Sequence, residues 1–133
     1  MKNRRQFLKE SSALGAASFL APSIYAGTAA GASELEVGVL FSLSGGLAMI
    51  EKSLSDATLM AIDEINAAGG VNGMMIKPIL EDGASDPKTY NEKASKLVIR
   101  DRVPTVFGSY TSASRKAVLP VFEKRNNMYF YPT

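Results

Sequence analysis

Short apolar segments alternate with amphipathic segments along most of this chain, and this alternation limits the folds that it can adopt. The apolar segments have the length and composition of buried strands, and the amphipathic ones repeat apolar residues with the period of a helix. The order β-α-β-α-β-α-β predicts an α/β fold, a parallel sheet with right-handed crossovers and helices on both faces. The predicted strands are residues 35–41, 75–80, 104–108 and 128–131, and the predicted helices begin near Ser53, Asp86 and Ala113.

Capping residues and glycines indicate where two of the helices begin and end. Ser53 with Asp56 three residues later resembles a capping box, and Gly69-Gly70 is expected to end this helix in the left-handed conformation. Asp86-Pro87 supplies an N-cap and a first-turn proline to the next helix. The stripe predicted to pack the first helix onto the sheet is Leu54, Ala57, Ala61, Ile65 and Ala68.

The N-terminal segment has the organisation of an export signal. Residues 3–9 read NRRQFLK, which resembles the twin-arginine motif, and a weakly apolar stretch rich in Ala, Gly and Ser follows. Small residues at Thr28, Ala30 and Ala32 offer cleavage sites. We therefore predict a twin-arginine signal peptide over residues 1–32, recognised by the twin-arginine export machinery and removed, which leaves residues 33–133 in the periplasm. The alternative is an uncleaved N-terminal helix or anchor.

The composition excludes several kinds of site. The chain of 133 residues contains no cysteine and no histidine, which removes disulfides, thiolate nucleophiles, the usual zinc ligands and a histidine base. The net charge is +2, and subtracting the excess of +3 in the leader leaves −1 for residues 33–133. Such a surface offers no basic stripe to phosphates, so we expect no nucleic-acid partner, and nothing in the sequence predicts a cofactor.

Polar loops follow three of the predicted strands, at the edge where open parallel sheets bind ligands. They are residues 42–46, 109–112 and 131–133, and they contain hydroxyls, aromatic rings and backbone donors but no charged side chain. Such a surface suits a small neutral polar ligand, or the carboxylate of an amino acid held by a helix N-terminus. For single residues the alternative is structural: Ser112 would only cap its helix, and the tyrosines would only pack.

The same residues give little support to catalysis, so we expect a protein that is not an enzyme. No histidine is present to activate a serine, and Ser44-Gly45 lacks the flanking pattern of a nucleophile elbow. The glycine-rich run 69–73 follows a helix, whereas a dinucleotide-binding loop follows a strand. Glu81 and Asp82 are adjacent carboxylates, but their position beside Gly83 favours a solvated turn. An unrecognised hydrolase remains an alternative.

Several stretches resemble the N-terminal part of the type I periplasmic binding fold, in the family of ABC-transporter receptors for amino acids, amides and urea. Residues 111–120 together with 130–133 resemble the branch that binds urea and short-chain amides. The resemblance implies a solute-binding protein that delivers urea or a short-chain amide, chemically unchanged, to an ABC permease of the inner membrane. The matching stretches are residues 37–45, 61–73, 81–86 and 106–123.

The resemblance also implies which residues hold the ligand. Four positions match those that line the amide pocket in the urea and amide branch: Tyr110, Ser112, Tyr131 and Thr133. Three further candidates share the predicted edge loops with them: Ser42, Ser44 and Thr111. One alternative is a receptor of the same fold for branched-chain or other amino acids, and another is an amide-sensing regulator. Family members continue into a second lobe, so residues 33–133 are expected to be a truncated, partial N-terminal lobe.

Overall fold

The computed structural model describes residues 33–133 and confirms the alternating order of strands and helices. Within these residues, no helix has both the length and the apolar character needed to cross a membrane. The predicted signal peptide lies outside the described residues. The elements are β1 (Glu34–Phe41), α1 (Ala48–Ala67), β2 (Met75–Asp82), α2 (Pro87–Ser95) with a π-helical turn (Lys96–Arg100), β3 (Thr105–Gly108), α3 (Ser112–Arg125) and β4 (Met128–Phe130).

The strands form one parallel sheet, as the sequence predicts, and their order in it is β2-β1-β3-β4. Strand β1 is central, since Gly38 pairs with Ile79 of β2 on one side and with Val106 of β3 on the other. The chain therefore adds β2 to one side of β1 and crosses to the other side to form β3. The loops after β1 and β3 consequently leave the sheet in opposite directions, and such a switch point is where open parallel sheets bind ligands.

Helices cover both faces of the sheet, which confirms the predicted layering. Helix α1 packs on one face, and α2 and α3 pack on the other. Strand β1 contributes to both cores because successive side chains of a strand point to opposite faces. The core on the α1 side contains Val37, Val39, Phe41 and Ile62. The core on the opposite side includes Leu40, Tyr90, Leu97, Val106, Val118 and Phe122.

Two of the predicted helix ends are confirmed. The Asp86 carboxylate accepts a hydrogen bond from the Thr89 N–H at 2.8 Å and so caps α2. Gly69 and Gly70, which follow α1, have φ values of +103° and +75°, in the left-handed region that glycine adopts without steric cost.

The predicted start of α1 is wrong, because the helix begins at Ala48 and Ser53 lies inside it. Leu47 occupies the N-cap position and makes no side-chain capping bond. Its carbonyl oxygen accepts from the Glu51 N–H at 3.0 Å, and its own N–H donates to Ser85 Oγ at 3.0 Å. A contact with another loop therefore fixes the start of this helix in place of a local capping box.

An apolar groove of about 610 Å³ lies between α1 and the sheet. Helix α1 packs mainly on β1 and β2, so the same face of β3 and β4 stays open. Phe107 and Phe130 stack there with ring centroids 5.0 Å apart, and Phe130 is 47% exposed. The predicted burial of the α1 stripe is therefore only partly correct. Leu54 is half-buried, but the stripe's other residues are exposed: Ala57, Ala61, Ile65 and Ala68.

Candidate functional site

The loops that follow the strands lie at the carboxyl edge of the sheet. Residues 42–47 follow β1, residues 83–86 follow β2, residues 109–111 follow β3 and residues 131–133 follow β4. All the predicted site residues lie in these loops except Ser112, which is the first residue of α3. They share this edge, but they differ in what their side chains contact.

Asp82, at the end of β2, holds the loop that follows β1. Its Oδ1 accepts from the Leu43 N–H at 2.8 Å, and its Oδ2 accepts from the Ser44 hydroxyl at 2.7 Å. Partial burial raises the pKa of Asp82, but hydrogen bonds from the Ser44 hydroxyl and from nearby backbone N–H groups outweigh it and hold the pKa below its usual value. The Ser85 hydroxyl also donates to the Ser44 carbonyl at 2.8 Å. The predicted ligand group Ser44 is thus engaged within the fold.

Ser42, the other predicted site residue of this loop, is fully buried. Its N–H donates to Glu51 Oε2 at 2.6 Å, and its Oγ lies 3.0 Å from the Tyr90 hydroxyl. The Tyr90 hydroxyl also donates to Glu51 Oε2. Burial, and after it the hydrogen bond to Glu51, raises the pKa of Tyr90 well above its usual value, so the hydroxyl keeps its proton.

Neither carboxylate of the Glu81-Asp82 pair lies in a solvated turn, so that prediction is wrong. Glu81 is only 6% exposed and pairs with Lys93 of α2 at 2.7 Å and with Lys96 of the π-helical turn. Asp82 binds the neighbouring loop, as described above. Both carboxylates therefore connect elements of the fold.

Tyrosine and threonine hydroxyls in and after β4 bind the end of β3 and the loop that follows it. The Tyr131 hydroxyl donates to the Tyr110 carbonyl at 2.8 Å, and Thr133 Oγ1 donates to the same oxygen at 2.9 Å. In β4, the Tyr129 hydroxyl donates to the Gly108 carbonyl at 2.9 Å, and burial raises its pKa to about 12. Three of the predicted site residues, Tyr110, Tyr131 and Thr133, are therefore in direct contact.

The N-terminus of α3 lies beside these tyrosines. Thr111 is its N-cap, since Thr111 Oγ1 accepts from the Ser114 N–H at 3.1 Å. The idea that Ser112 caps the helix is wrong, and the Ser112 side chain is exposed. One turn further on, the Arg115 guanidinium lies 5.3 Å from the centre of the Tyr131 ring. A positive charge therefore adjoins the positive end of the helix dipole.

The arrangement can bind a small solute through hydroxyls, aromatic rings and backbone groups, and it can stabilise a negative charge near α3. No group of three or more carboxylates within residues 33–133 is arranged to hold a metal ion. Sequence reasoning missed the roles of Glu51, Asp82 and Arg115. Because the helix was predicted to start at Ser53, Glu51 was not recognised as a residue of the helix. The position of Arg115, one turn after a threonine that can cap a helix, could have indicated a positive charge near the N-terminus of α3.

Comparison with known proteins decides the family. A family model described as a periplasmic binding protein domain matches residues 35–133. The chain belongs to this family. Periplasmic binding proteins bind solutes outside the cytoplasm and catalyse no reaction, in agreement with the prediction that the chain is not an enzyme.

Relatives of this periplasmic binding protein domain are named for branched-chain amino acids. The Leu/Ile/Val-binding protein homolog 8 of Brucella suis is 36% identical over 118 residues, covering 88% of this chain and 28% of that protein. Homolog 7 of Brucella abortus is 31% identical over 108 residues, covering 81% of this chain and 27% of its own length. The chain thus spans less than a third of the curated relatives that it matches.

A similar solved structure is the branched-chain amino acid transporter substrate binding protein LivJ from Streptococcus pneumoniae, in complex with isoleucine. It superposes with a TM-score of 0.74 at 29% identity, over 76% of this chain and 29% of that one. An ABC transporter substrate-binding protein from Sphaerobacter thermophilus superposes with a TM-score of 0.69 at 25% identity. Both likenesses agree with the predicted periplasmic binding fold.

Proposed function

We propose that this chain is part of the solute-binding component of an ABC importer, and that its solute is an amino acid with a branched aliphatic side chain. The observation that carries this proposal is the likeness to LivJ, which binds isoleucine. The names of the Brucella relatives point to the same solutes. The amino-acid alternative from the sequence is therefore favoured over the urea and amide interpretation.

The contacts at the carboxyl edge support a carboxylate-bearing solute. The N-terminus of α3 carries partial positive charge, and Arg115 adds a full one beside Tyr131. Backbone N–H groups at such a terminus bind carboxylates well. Tyr110 and Tyr131 would then contact the body of the solute, and the exposed Ser112 hydroxyl would supply a further hydrogen bond.

Urea or a short-chain amide is the second candidate, and one observation favours it. Residues 42–46, 109–112 and 131–133 contain no charged side chain, and a neutral solute with donors and acceptors needs none. In that case hydroxyls and backbone groups would hold the amide, and the tyrosine rings would cover its plane.

Calorimetric titration of the gene product at its native length separates the two candidates. The solutes are leucine, isoleucine, valine, urea and acetamide, with leucinamide as the matched control because it lacks only the carboxylate charge. We expect saturable binding of the branched-chain amino acids and a loss of at least tenfold in affinity for leucinamide. Binding of urea or acetamide without binding of leucine would contradict the proposal.

Substitutions at the edge test the predicted ligand residues. Ser112→Ala should weaken solute binding by about 1 kcal/mol, the value of a neutral hydrogen bond, and Tyr110→Ala should weaken it more because an aromatic contact is lost. Ser53→Ala, an exposed serine of α1 away from this edge, is the matched control. If both variants bind the solute as tightly as the control does, the solute binds at a different place in the protein.

The proposed partners follow from the same function. We infer that the protein is exported by the twin-arginine machinery, is cleaved near residue 32 and works in the periplasm. There it would deliver its solute to an ABC permease of the inner membrane. Pulldown of the permease with the solute-loaded protein, and not with the empty protein, is the expected result.

A further inference from the structure

A buried chain of hydrogen bonds lies beneath the loop that follows β1. Glu51, Tyr90 and Ser42 are each fully buried. The Ser42 N–H and the Tyr90 hydroxyl both donate to Glu51 Oε2, and the Ser85 N–H donates to Ser42 Oγ at 3.0 Å. This chain of hydrogen bonds thus joins the loops after β1 and β2 to the helices α1 and α2.

The donors and acceptors in this chain run in one direction. The Tyr90 hydroxyl gives its single proton to Glu51, so Ser42 must give its own hydroxyl proton to the Tyr90 oxygen. Ser42 Oγ then accepts from the Ser85 N–H. Every member therefore depends on Glu51 as the final acceptor, and removing that acceptor would leave buried donors unpaired.

Stability alone does not account for a buried carboxyl group at this position. Glu51 Oε1 has no hydrogen-bond partner among residues 33–133, and a buried carboxyl group with an unpaired oxygen is unfavourable relative to an apolar side chain. The Glu51 carboxylate does, however, hold Ser42, the first residue of the loop at the carboxyl edge of the central strand.

We propose that Glu51 and Tyr90 are positioning residues that hold the loop of residues 42–47 in the conformation that receives the solute. This inference rests on the proposed function, since it assumes that the carboxyl edge binds a solute. Neither residue touches the solute, because both side chains are buried beneath the loop. They act through Ser42, and Asp82 and Ser85 hold Ser44, two residues further along the same loop.

The decisive comparison is between Glu51→Gln and Glu51→Met in the gene product at its native length. Both side chains resemble glutamate in length, but only glutamine keeps an oxygen that can accept from Ser42 and Tyr90. Tyr90→Phe removes the bridging hydroxyl and keeps the ring, so it tests the same chain if the methionine variant does not fold. Ser55→Ala is the matched control because Ser55 is also buried, lies one turn along α1 and has no hydrogen-bond partner within residues 33–133.

Two measurements are made on each variant: leucine affinity by calorimetry and amide hydrogen exchange by NMR. We expect Glu51→Met to weaken leucine binding at least fivefold and to speed exchange of the Ser42 amide at least tenfold, because the Ser42 N–H loses its acceptor. Tyr90→Phe should also weaken leucine binding, but it should speed exchange of the Ser42 amide less, because the direct bond from that N–H to Glu51 remains. The Val39 amide in the core of β1 should be unchanged. Glu51→Gln and Ser55→Ala should stay within twofold of the wild type in both measurements.

The double variant Glu51→Met/Tyr90→Phe should be no weaker than the poorer single variant, because both changes break the same chain. Equal acceleration at Ser42 and Val39 would mean general destabilisation and would overturn the inference, as would unchanged affinity in Tyr90→Phe. If the wild type binds no branched-chain amino acid, the proposed solute is wrong, and the exchange of Ser42 against Val39 alone then decides whether Glu51 positions the loop.

Discussion

Gly108, the last residue of β3, allows a close approach between the two strands that flank the switch point. A Cβ atom at this position would lie 2.0 Å from the Leu40 carbonyl oxygen of β1 and 2.7 Å from its carbonyl carbon. Carbon and oxygen come into contact at about 3.3 Å, so Gly108→Ala must push the strands apart by about 1 Å. The clash is with backbone, which no side-chain rotation can relieve.

The expected loss of stability follows from two contributions. Overpacking of this kind costs about 1–3 kcal/mol, and the bond from the Ser109 N–H to the Leu40 carbonyl, 2.9 Å long, adds about 0.5–1.5 kcal/mol when it is strained. We expect Gly108→Ala to lower the free energy of unfolding by about 2–4 kcal/mol, a large share of the about 5–15 kcal/mol of a typical domain.

Urea denaturation monitored by tyrosine fluorescence and circular dichroism measures this loss. Gly46→Ala is the matched control, since a Cβ atom at Gly46 meets nothing within 4 Å, and it should change the free energy of unfolding by less than about 0.5 kcal/mol. If Gly108→Ala proves as stable as Gly46→Ala, the close contact between β1 and β3 is not present in solution, and the geometry of the switch point described above is wrong.

Three further predictions concern acid, export and the groove. The pKa of Asp82 is lowered in the fold, so its hydrogen bonds stabilise the protein fully above about pH 4, and this stabilisation is lost as the pH falls through the lowered value. Asp82→Asn should flatten this part of the profile of thermal stability against pH. An unchanged profile would contradict the stabilising role given to Asp82. Arg4→Lys with Arg5→Lys should leave precursor in the cytoplasm, and normal export of that variant through the twin-arginine route would refute the signal. The chain of 133 residues contains no cysteine, so a single introduced cysteine can be labelled. Ile65→Cys in the groove should react with maleimide nearly as readily as Met49→Cys, since the Ile65 and Met49 side chains are 41% and 86% exposed. Strong protection of Ile65→Cys would show that the groove is covered.

Local patterns in the sequence were enough to predict the architecture. Apolar runs placed the strands, and their alternation with helices predicted the parallel sheet. Asp86-Pro87 and Gly69-Gly70 marked helix ends correctly because their effects are local: a carboxylate reaches an N–H three residues away, and glycine adopts positive φ by itself.

Features that depend on contacts between distant residues could not be predicted in the same way. Asp82 and Ser44 are far apart in the chain and meet because β2 lies beside β1, a neighbour relation that hydrophobic pattern alone does not provide. The start of α1 was misplaced for the same reason, since Ser85 rather than Ser53 supports it. The seven candidate ligand residues remain predictions, although the structure brings Tyr110, Tyr131 and Thr133 into contact.

Under the proposed function the solute binds at the switch point, and the order of the strands explains how the two loops there are held. Each of its two loops is held from its outer side: Asp82 of β2 holds the loop after β1, and Tyr131, following β4, holds the loop after β3. Within residues 33–133, no side-chain hydrogen bond joins residues 42–47 to residues 109–112. The outer contacts therefore fix each of the two loops independently of the other. A solute that binds between the loops, as proposed, meets two walls that are already positioned, which lowers the entropy lost on binding. For this reason we expect variants that loosen either outer contact to weaken binding more than they weaken the fold.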